Sequence, residues 1–511
     1  MIKKTPLDHQ SGKPFKNNLK FRQPIILTII IYYFTSHTSL SLLLSSHPTP
    51  PPIPILPIPT SQQISWQLTE MAMFLHFGTN TFTDLEWGTG HADPSVFNPT
   101  SFNATQWVHV AKDNGFSRVI LTAKHHDGFC LWPSAYTDYS VKSSSWRNGA
   151  GDVVKELTEA ARKAGVRLGL YVSPWDRHEP TYGETLEYNE YYMGQMTELL
   201  TRYGEIREVW LDSAKGKGEK DMEYFFDDWF SLIHQIQPGA VIFSDDGPDT
   251  RWVGDESGVA GTTCWSLFNR SAIKIGDTDP KYSGKGDPLG HDWVPPECDV
   301  SIRPGCWKKL SLVPPNSSGL IPQEDIRVLE EFSEIRKSIF SSNLAKGALI
   351  SASSVRGVPN DSHYGPQNVL EEGIYSYWAP DKAQSNWALN LDFEESVTFN
   401  ILLVQEPIHM GQRIIEFHLD FLNEEGEWEE VVRGTTVGYK RLLRFGKVES
   451  SKLRLVIDKS RADPLISYLG IYVDPFTILE HVSNFSSTSL SKDGKTLQQN
   501  MYHHSTNVSS F

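Results

Sequence analysis

The chain has 511 residues and a formal net charge of −15, with 39% hydrophobic and 12% aromatic residues. That length suffices for two or three domains with sizeable cores. Residues 1–60 carry +5 and the remainder −20, and so acidic a body argues against nucleic acid or an anionic membrane surface as partner.

The N-terminus has the order of a secretory signal. A basic region, Lys3 to Arg22, precedes the apolar run Ile25 to Tyr33, a second apolar patch at Leu40–Leu44 and a Pro-rich run from Pro48 to Pro59. A signal anchor is the alternative, although the polar stretch Thr35–Ser39 leaves no clean membrane span. Residues 1–60 are therefore expected to be a signal segment and Pro-rich linker, which places the remaining chain outside the cell with no membrane attachment. Sequons at Asn103, Asn269, Asn316, Asn360, Asn484 and Asn507 agree with that route, each weakly by itself. Cys130, Cys264, Cys298 and Cys306 have no zinc-ligand spacing; a Cys298–Cys306 bridge is one of the three possible pairings.

From residue 61 to about 341 strands and helices alternate, the pattern of a (β/α) barrel. The strands expected are Met73–Leu75, Arg118–Ala123, Arg167–Leu170, Glu208–Leu211, Ala240–Ser244, Thr262–Trp265 and Leu310–Val313. The first helix after the second strand has Asp152 or Gly151 as cap, an apolar face through Val153, Val154, Leu157, Ala160, Ala161 and Ala164, and Gly165 as stop. Others are expected over about 186–203 and 222–237. Only Lys308 and Lys309 separate Trp307 from the last strand, too few for a crossover, so the barrel reads as incomplete near 307–310.

Residues 342–475 change period. Ile415, Phe417, Leu419 and Phe421 alternate with Glu416, His418 and Asp420; Trp387 to Phe393 and Leu453 to Ile457 do likewise. That is the pattern of an antiparallel β-sandwich. Residues 476–511 form a polar tail.

The chemistry lies at the strand ends. In a (β/α) barrel the C-terminal ends meet at one mouth, where the active site sits. The strands end in His76, in His125 and His126, in Tyr171, and in Asp212. A carboxylate ringed by imidazoles and aromatics suits sugar chemistry. Retaining glycoside hydrolysis needs a second carboxyl group, and Arg251-Trp252-Val253-Gly254-Asp255-Glu256 offers two. The paired histidines could instead bind metal, but sugar hydroxyls are well matched by imidazole donors and acceptors, and a metal needs more ligands.

Five blocks together resemble the α-L-fucosidases of glycoside hydrolase family 29. They are Met73 to Gly78, Glu86-Trp87-Gly88, Thr122 to Phe129, Trp210-Leu211-Asp212, and Arg251 to Glu256. The last block looks like the subgroup acting on α-1,3- and α-1,4-linked fucose, and plant apoplastic members look closest. The resemblance implies a retaining exo-fucosidase acting on fucosylated glycans, with no metal or other cofactor. Carried over by motif, Asp212 is the nucleophile and Glu256 the acid/base, with Asp255 as fallback. His76, Glu86, Trp87, His125, His126, Tyr171 and Trp210 line the sugar pocket. It also implies a discoidin-like sandwich and a barrel short of about 25–30 residues at the Trp307 junction, roughly one βα unit. The alternative is a weakly active or inactive glycan-binding relative disabled by that gap.

Overall fold

A computed structural model describes residues 49–245, 247–254, 256, 260–272, 279–302, 313–357, 362–382 and 385–476. The apolar N-terminal segment, most of the polar tail, the 307–310 junction, Asp255, Cys306 and the sequons at Asn360, Asn484 and Asn507 lie outside the described residues. Cys130 and Cys264 carry free thiols.

Part of the expected linker is instead seated on protein. The Ile55 N–H donates to Met410 O at 3.1 Å, Arg413 Nη2 to Ile53 O at 2.7 Å, and Arg461 Nη2 to Leu56 O at 3.4 Å. A proline run has few donors of its own, so its carbonyls are free to take these arginines. Thr60 then opens α1 (Ser61–Gln67) through a reciprocal capping box with Gln63.

The first sheet is parallel. Its strands are β1 (Ala72–Leu75), β2 (Arg118–Lys124), β3 (Arg167–Val172), β4 (Glu208–Trp210), β5 (Val241–Ser244), β6 (Thr250–Trp252) and β9 (Pro296–Glu297), in the order β1-β2-β3-β4-β5-β6-β9. Helices α2 (Ala104–Asp113), α3 (Val153–Ala164), α4 (Thr185–Arg202) and α5 (Phe226–Ile236) provide crossovers. Asp152 caps α3 by accepting from Lys155 N, and Gly165 ends it at φ 73°, as the sequence required.

Strand alternation sorts the side chains into two layers. Phe74, Ile120, Tyr171, Trp210 and Phe243 cluster on one face, joined by Trp252, and form the barrel interior. Met73, Leu75, Val119, Leu121, Leu170, Val209 and Ile242 pack with Trp107, Val108, Leu157 and Leu199 of the helices. At the strand starts Arg118 pairs with Glu208 at 2.7 Å, and Trp66 of α1 donates to the same carboxylate at 3.2 Å.

One expected strand is absent, and unexpected strands are present. Thr262–Trp265 is not a strand; the antiparallel pair β7 (Leu267–Phe268) and β8 (Asp292–Trp293) follows it, around the short α6 (Pro280–Lys285). The sixth parallel strand is Thr250–Trp252, which runs into the Arg251–Glu256 block where no strand was expected. Its acids and glycines hid a strand whose residues alternate sharply: Trp252 enters the interior, and Arg251 turns away and donates to Ser283 O, Val294 O and Trp265 O. The third expected helix also starts later, at Phe226.

The sheet is an incomplete barrel. β1 and β9 are its edges, and among the described residues no strand joins them. Residues 310–312 of the last expected strand lie outside the described residues, but the Val313 N–H donates to Phe74 O of β1 at 3.1 Å. The segment that follows is tied to α2 by Trp107 Nε1 on Gly319 O at 3.0 Å and leads into α7 (Gln323–Phe340).

The second sheet is antiparallel. It comprises β10 (Ala348–Ala352), β11 (Trp387–Gln405), β12 (Ile414–Leu422), β13 (Trp428–Thr435), β14 (Arg441–Ser460) and β15 (Tyr468–Tyr472), with β15 pairing β11. The long strands β11 and β14 shift register between Asp392 and Val397, which lets one pair of strands bend through both layers of the sandwich. Its core includes Trp378, Leu391, Leu402, Phe417, Leu455 and Ile471.

Candidate active site

The C-terminal ends of β1 to β4 converge as the pattern required. Tyr171 on β3 donates its phenol hydroxyl to Asp212 Oδ2 at 2.8 Å, and Ala214 N donates to Asp212 Oδ1 at 2.8 Å. His126 Nε2 lies 3.5 Å from Asp212 Oδ2. The Asp212 side chain is 17% exposed, so its carboxylate is oriented by protein and still reachable from the mouth.

The three imidazoles form one contiguous wall. The His76 and His125 rings meet edge-on at 4.5 Å, and those of His125 and His126 lie 4.2 Å apart. Their hydrogen bonds differ. Asn80 Nδ2, which also donates to Glu86 O, lies 3.2 Å from His125 Nδ1; donation there leaves the His125 proton on Nε2. Ser173 Oγ donates to Trp175 O at 2.6 Å and so accepts from His126 Nδ1 at 2.7 Å; in the neutral ring His126 Nε2 is then an acceptor. A donor and an acceptor side by side match hydroxyl groups, each of which does both.

Burial keeps these rings neutral. His76 is lowered to about 4, first by desolvation and then by His126. His125 is held well below the ordinary range by desolvation, with His126 and His76 adding to it. His126 is also lowered by desolvation, against the pull of Asp212 and with the help of Arg177. The Tyr171 phenol is pushed well up by burial and by Asp212, so it remains a donor.

Aromatics complete the mouth. Trp87, 39% exposed, meets Trp175 at 5.3 Å and His126 at 6.1 Å, both edge-on. Trp210 stacks on Phe243 at 3.6 Å and 7° and lies 5.5 Å from Tyr171, which makes it the floor. Trp175 Nε1, Trp210 Nε1 and Ser213 Oγ are buried without a protein hydrogen-bond partner among the described residues. Such groups are costly unless water or a ligand takes them.

Of the residues expected from sequence, Asp212, Tyr171, His76, His125, His126, Trp87 and Trp210 therefore come together. Glu86 is half-buried, and its carbonyl takes the Asn80 amide. Glu256 is exposed on the loop leaving β6. Sequence reasoning missed Asn80 and Ser173, which set the histidine tautomers, and Lys124 with Asp176. That pair is fully buried at 3.0 Å behind the histidines. Lys124 could have been found from its place inside the densest polar motif of the chain; a lone Asn or Ser carries no comparable signal. Among the described residues no group of three or more His, Cys, Asp or Glu could hold a metal.

Known proteins similar to this chain fall in one family. The family model described as alpha-L-fucosidase matches residues 61–262. Alpha-L-fucosidase 1 of Arabidopsis thaliana is 64% identical over 477 residues, covering 88% of this chain and 94% of its own. The chain belongs to the α-L-fucosidase family. A putative alpha-L-fucosidase 1 of Oryza sativa subsp. japonica is 57% identical, over 87% of this chain and 91% of its own. Among solved fucosidase relatives, SpGH29 is 37% identical with a TM-score of 0.78, covering 83% of this chain and 100% of its own. A Ruminococcus gnavus family 29 fucosidase solved with fucose is 30% identical with a TM-score of 0.76, over 84% of this chain and 97% of its own. As an α-L-fucosidase the protein is a glycoside hydrolase, and its fold, a parallel barrel-type sheet followed by an antiparallel sandwich, matches those structures.

Proposed function

We propose that the protein is a retaining exo-α-L-fucosidase that removes α-1,3- or α-1,4-linked fucose from the ends of glycoproteins or oligosaccharides. The observation that carries this reading is the Asp212 carboxylate, fixed by Tyr171 and Ala214 N beside three neutral imidazoles at the mouth. Asp212 attacks C1 of the fucosyl unit, the C1–O bond to the leaving sugar breaks, and Glu256 gives its proton to that oxygen. Water then attacks C1 as Glu256 takes its proton, the ester to Asp212 breaks, and fucose leaves with its configuration kept.

The case for Glu256 is one of placement. β6 lies two strands from β4 in the sheet, and Trp252 at its end enters the interior cluster beside Trp210. The following loop thus leaves at the same end as Asp212. His76, His125 and His126 bind the hydroxyls of fucose, and Trp87 with Tyr171 flanks the ring. Bound fucose in the Ruminococcus gnavus relative supports the substrate.

The secretory route is part of this proposal. Of the described sequons, Asn103 and Asn316 are exposed and Asn269 is half-buried. No described helix is long and apolar enough to cross a membrane. The reading of an inactive relative is less well supported, because the constellation around Asp212 is intact. Release of free fucose by purified protein decides between them, and Asp212→Gly tests the mechanism: turnover is lost, and azide, a small external nucleophile, restores part of it.

A further inference from the structure

We propose that Arg177 is a positioning residue that fixes the aromatic platform Trp87 over the mouth and ties it to the loop following Asp212. Among the described residues the Trp87 ring meets the rings of Trp175 and His126 edge-on, and it is 39% exposed, so ring stacking does not set its place. Its backbone does. Arg177 Nη1 donates to Gly88 O, and His178 Nδ1 lies 2.6 Å from Gly90 O. Gly88 and Gly90 have φ of 65° and 75°, and a Cβ at Gly90 would meet the Arg177 carbonyl, so this loop lies directly against residues 177–178. The other edge of the guanidinium pairs through Nε with Glu219 at 3.2 Å, on the loop after Asp212. The same cation lies 5.5 Å from the Trp175 ring centre, and Arg177 N donates to His126 O at 2.9 Å.

The anchor itself is rigid. Asp176 Oδ1 accepts from His178 N at 3.0 Å and Glu179 N at 2.9 Å, and its Oδ2 takes the buried Lys124 ammonium at 3.0 Å. The His178 ring stacks on Tyr139 at 3.9 Å and 12°. A buried ion pair thus sets a turn, the turn presents two side chains to two carbonyls, and those carbonyls hold the platform. A planar guanidinium can serve a carbonyl and a carboxylate at once; an ammonium serves them less well.

This inference rests on the reading of Trp87 as a sugar contact. The test is a double-mutant cycle on the full chain with an aryl α-L-fucoside. Trp87→Ala and Arg177→Met should each lower kcat/KM by about tenfold, carried mainly by KM, and the double variant should be no worse than Trp87→Ala alone, as for residues acting as one unit. Hydrogen exchange in a peptide spanning residues 84–92 should quicken in Arg177→Met, with β2 and β3 unchanged, and Arg177→Lys should recover part of the loss. Should Arg177→Met fail to fold, Glu219→Gln loosens the same guanidinium and should raise KM about threefold with the same exchange change. Additive losses, a fall in kcat alone, or unchanged exchange would overturn the role of Arg177. Trp87→Ala with a normal KM would overturn the reading of Trp87 instead, and the positioning role with it.

Discussion

Tyr171 and Asp212 share a hydrogen bond of 2.8 Å between two adjacent strand ends, and the phenol is the buried donor to an accessible carboxylate. Burial and the carboxylate both push the phenol well up, so this donor keeps its proton at any working pH. A hydrogen bond to a charged group contributes about 1.5–3 kcal/mol, so Tyr171→Phe should lower kcat/KM by about 10- to 100-fold. Thermal unfolding should hardly change. Normal kinetics with aryl fucosides would show that Asp212 does not depend on this bond.

Glu256→Ala should separate substrates by leaving group. Activated aryl fucosides need little protonation, whereas natural glycosides need it in full, and general acid catalysis contributes about 10²–10⁴-fold. Steady-state rates on both substrate types measure this. Equal losses on both would move the role to Asp255 or another carboxyl group.

Acid should cost this fold stability through its histidines. His76 is lowered from 6.5 to about 4, and His125 and His126 are lowered as well. The unfolded chain then binds more protons than the native state between about pH 4 and 6.5, so stability rises with pH across that window and falls as pH drops through it. For His76, which keeps an edge on the mouth, the cost at pH 4.5 is no more than about 3 kcal/mol. Denaturant titrations at pH 7 and 4.5 should show His76→Asn losing less stability on acidification than the parent. An equal loss in both would mean that His76 titrates normally.

Much of this was legible in the sequence, for physical reasons that differ from place to place. The α3 helix was readable to within a residue because the apolar stripe, the Gly165 stop and a cap at Asp152 or Gly151 all agree, and the structure selects Asp152. The mouth residues were readable because strand ends in a parallel barrel converge. β6 was not, since Arg251 donates from one face while Trp252 packs on the other, and a three-residue strand has no period to detect. The seat of the Pro-rich run was hidden because it depends on Arg413 and Arg461, more than 350 residues away. The tautomers of His125 and His126 depend on Asn80 and Ser173, which only the folded chain brings near.

The open sheet has a consequence for stability. Among the described residues β1 and β9 remain edges, and the Val313 N–H donates to Phe74 O of β1. Barrel closure requires strand number, tilt and stagger to agree. Inserting about 25–30 residues at the Trp307–Leu310 junction, roughly one βα unit, should therefore raise both the unfolding temperature and fucose release. Equal stability and turnover in the two forms would show that the edges are satisfied another way.

The central claim is that Asp212 forms a bond to fucose. An activated 2-fluorinated fucosyl donor slows the second step more than the first, so the intermediate accumulates, and peptide mass spectrometry reports where it sits. The adduct should appear on the peptide containing Asp212, together with time-dependent loss of activity. An adduct on another carboxylate, or turnover with inverted configuration and no adduct, would contradict this account.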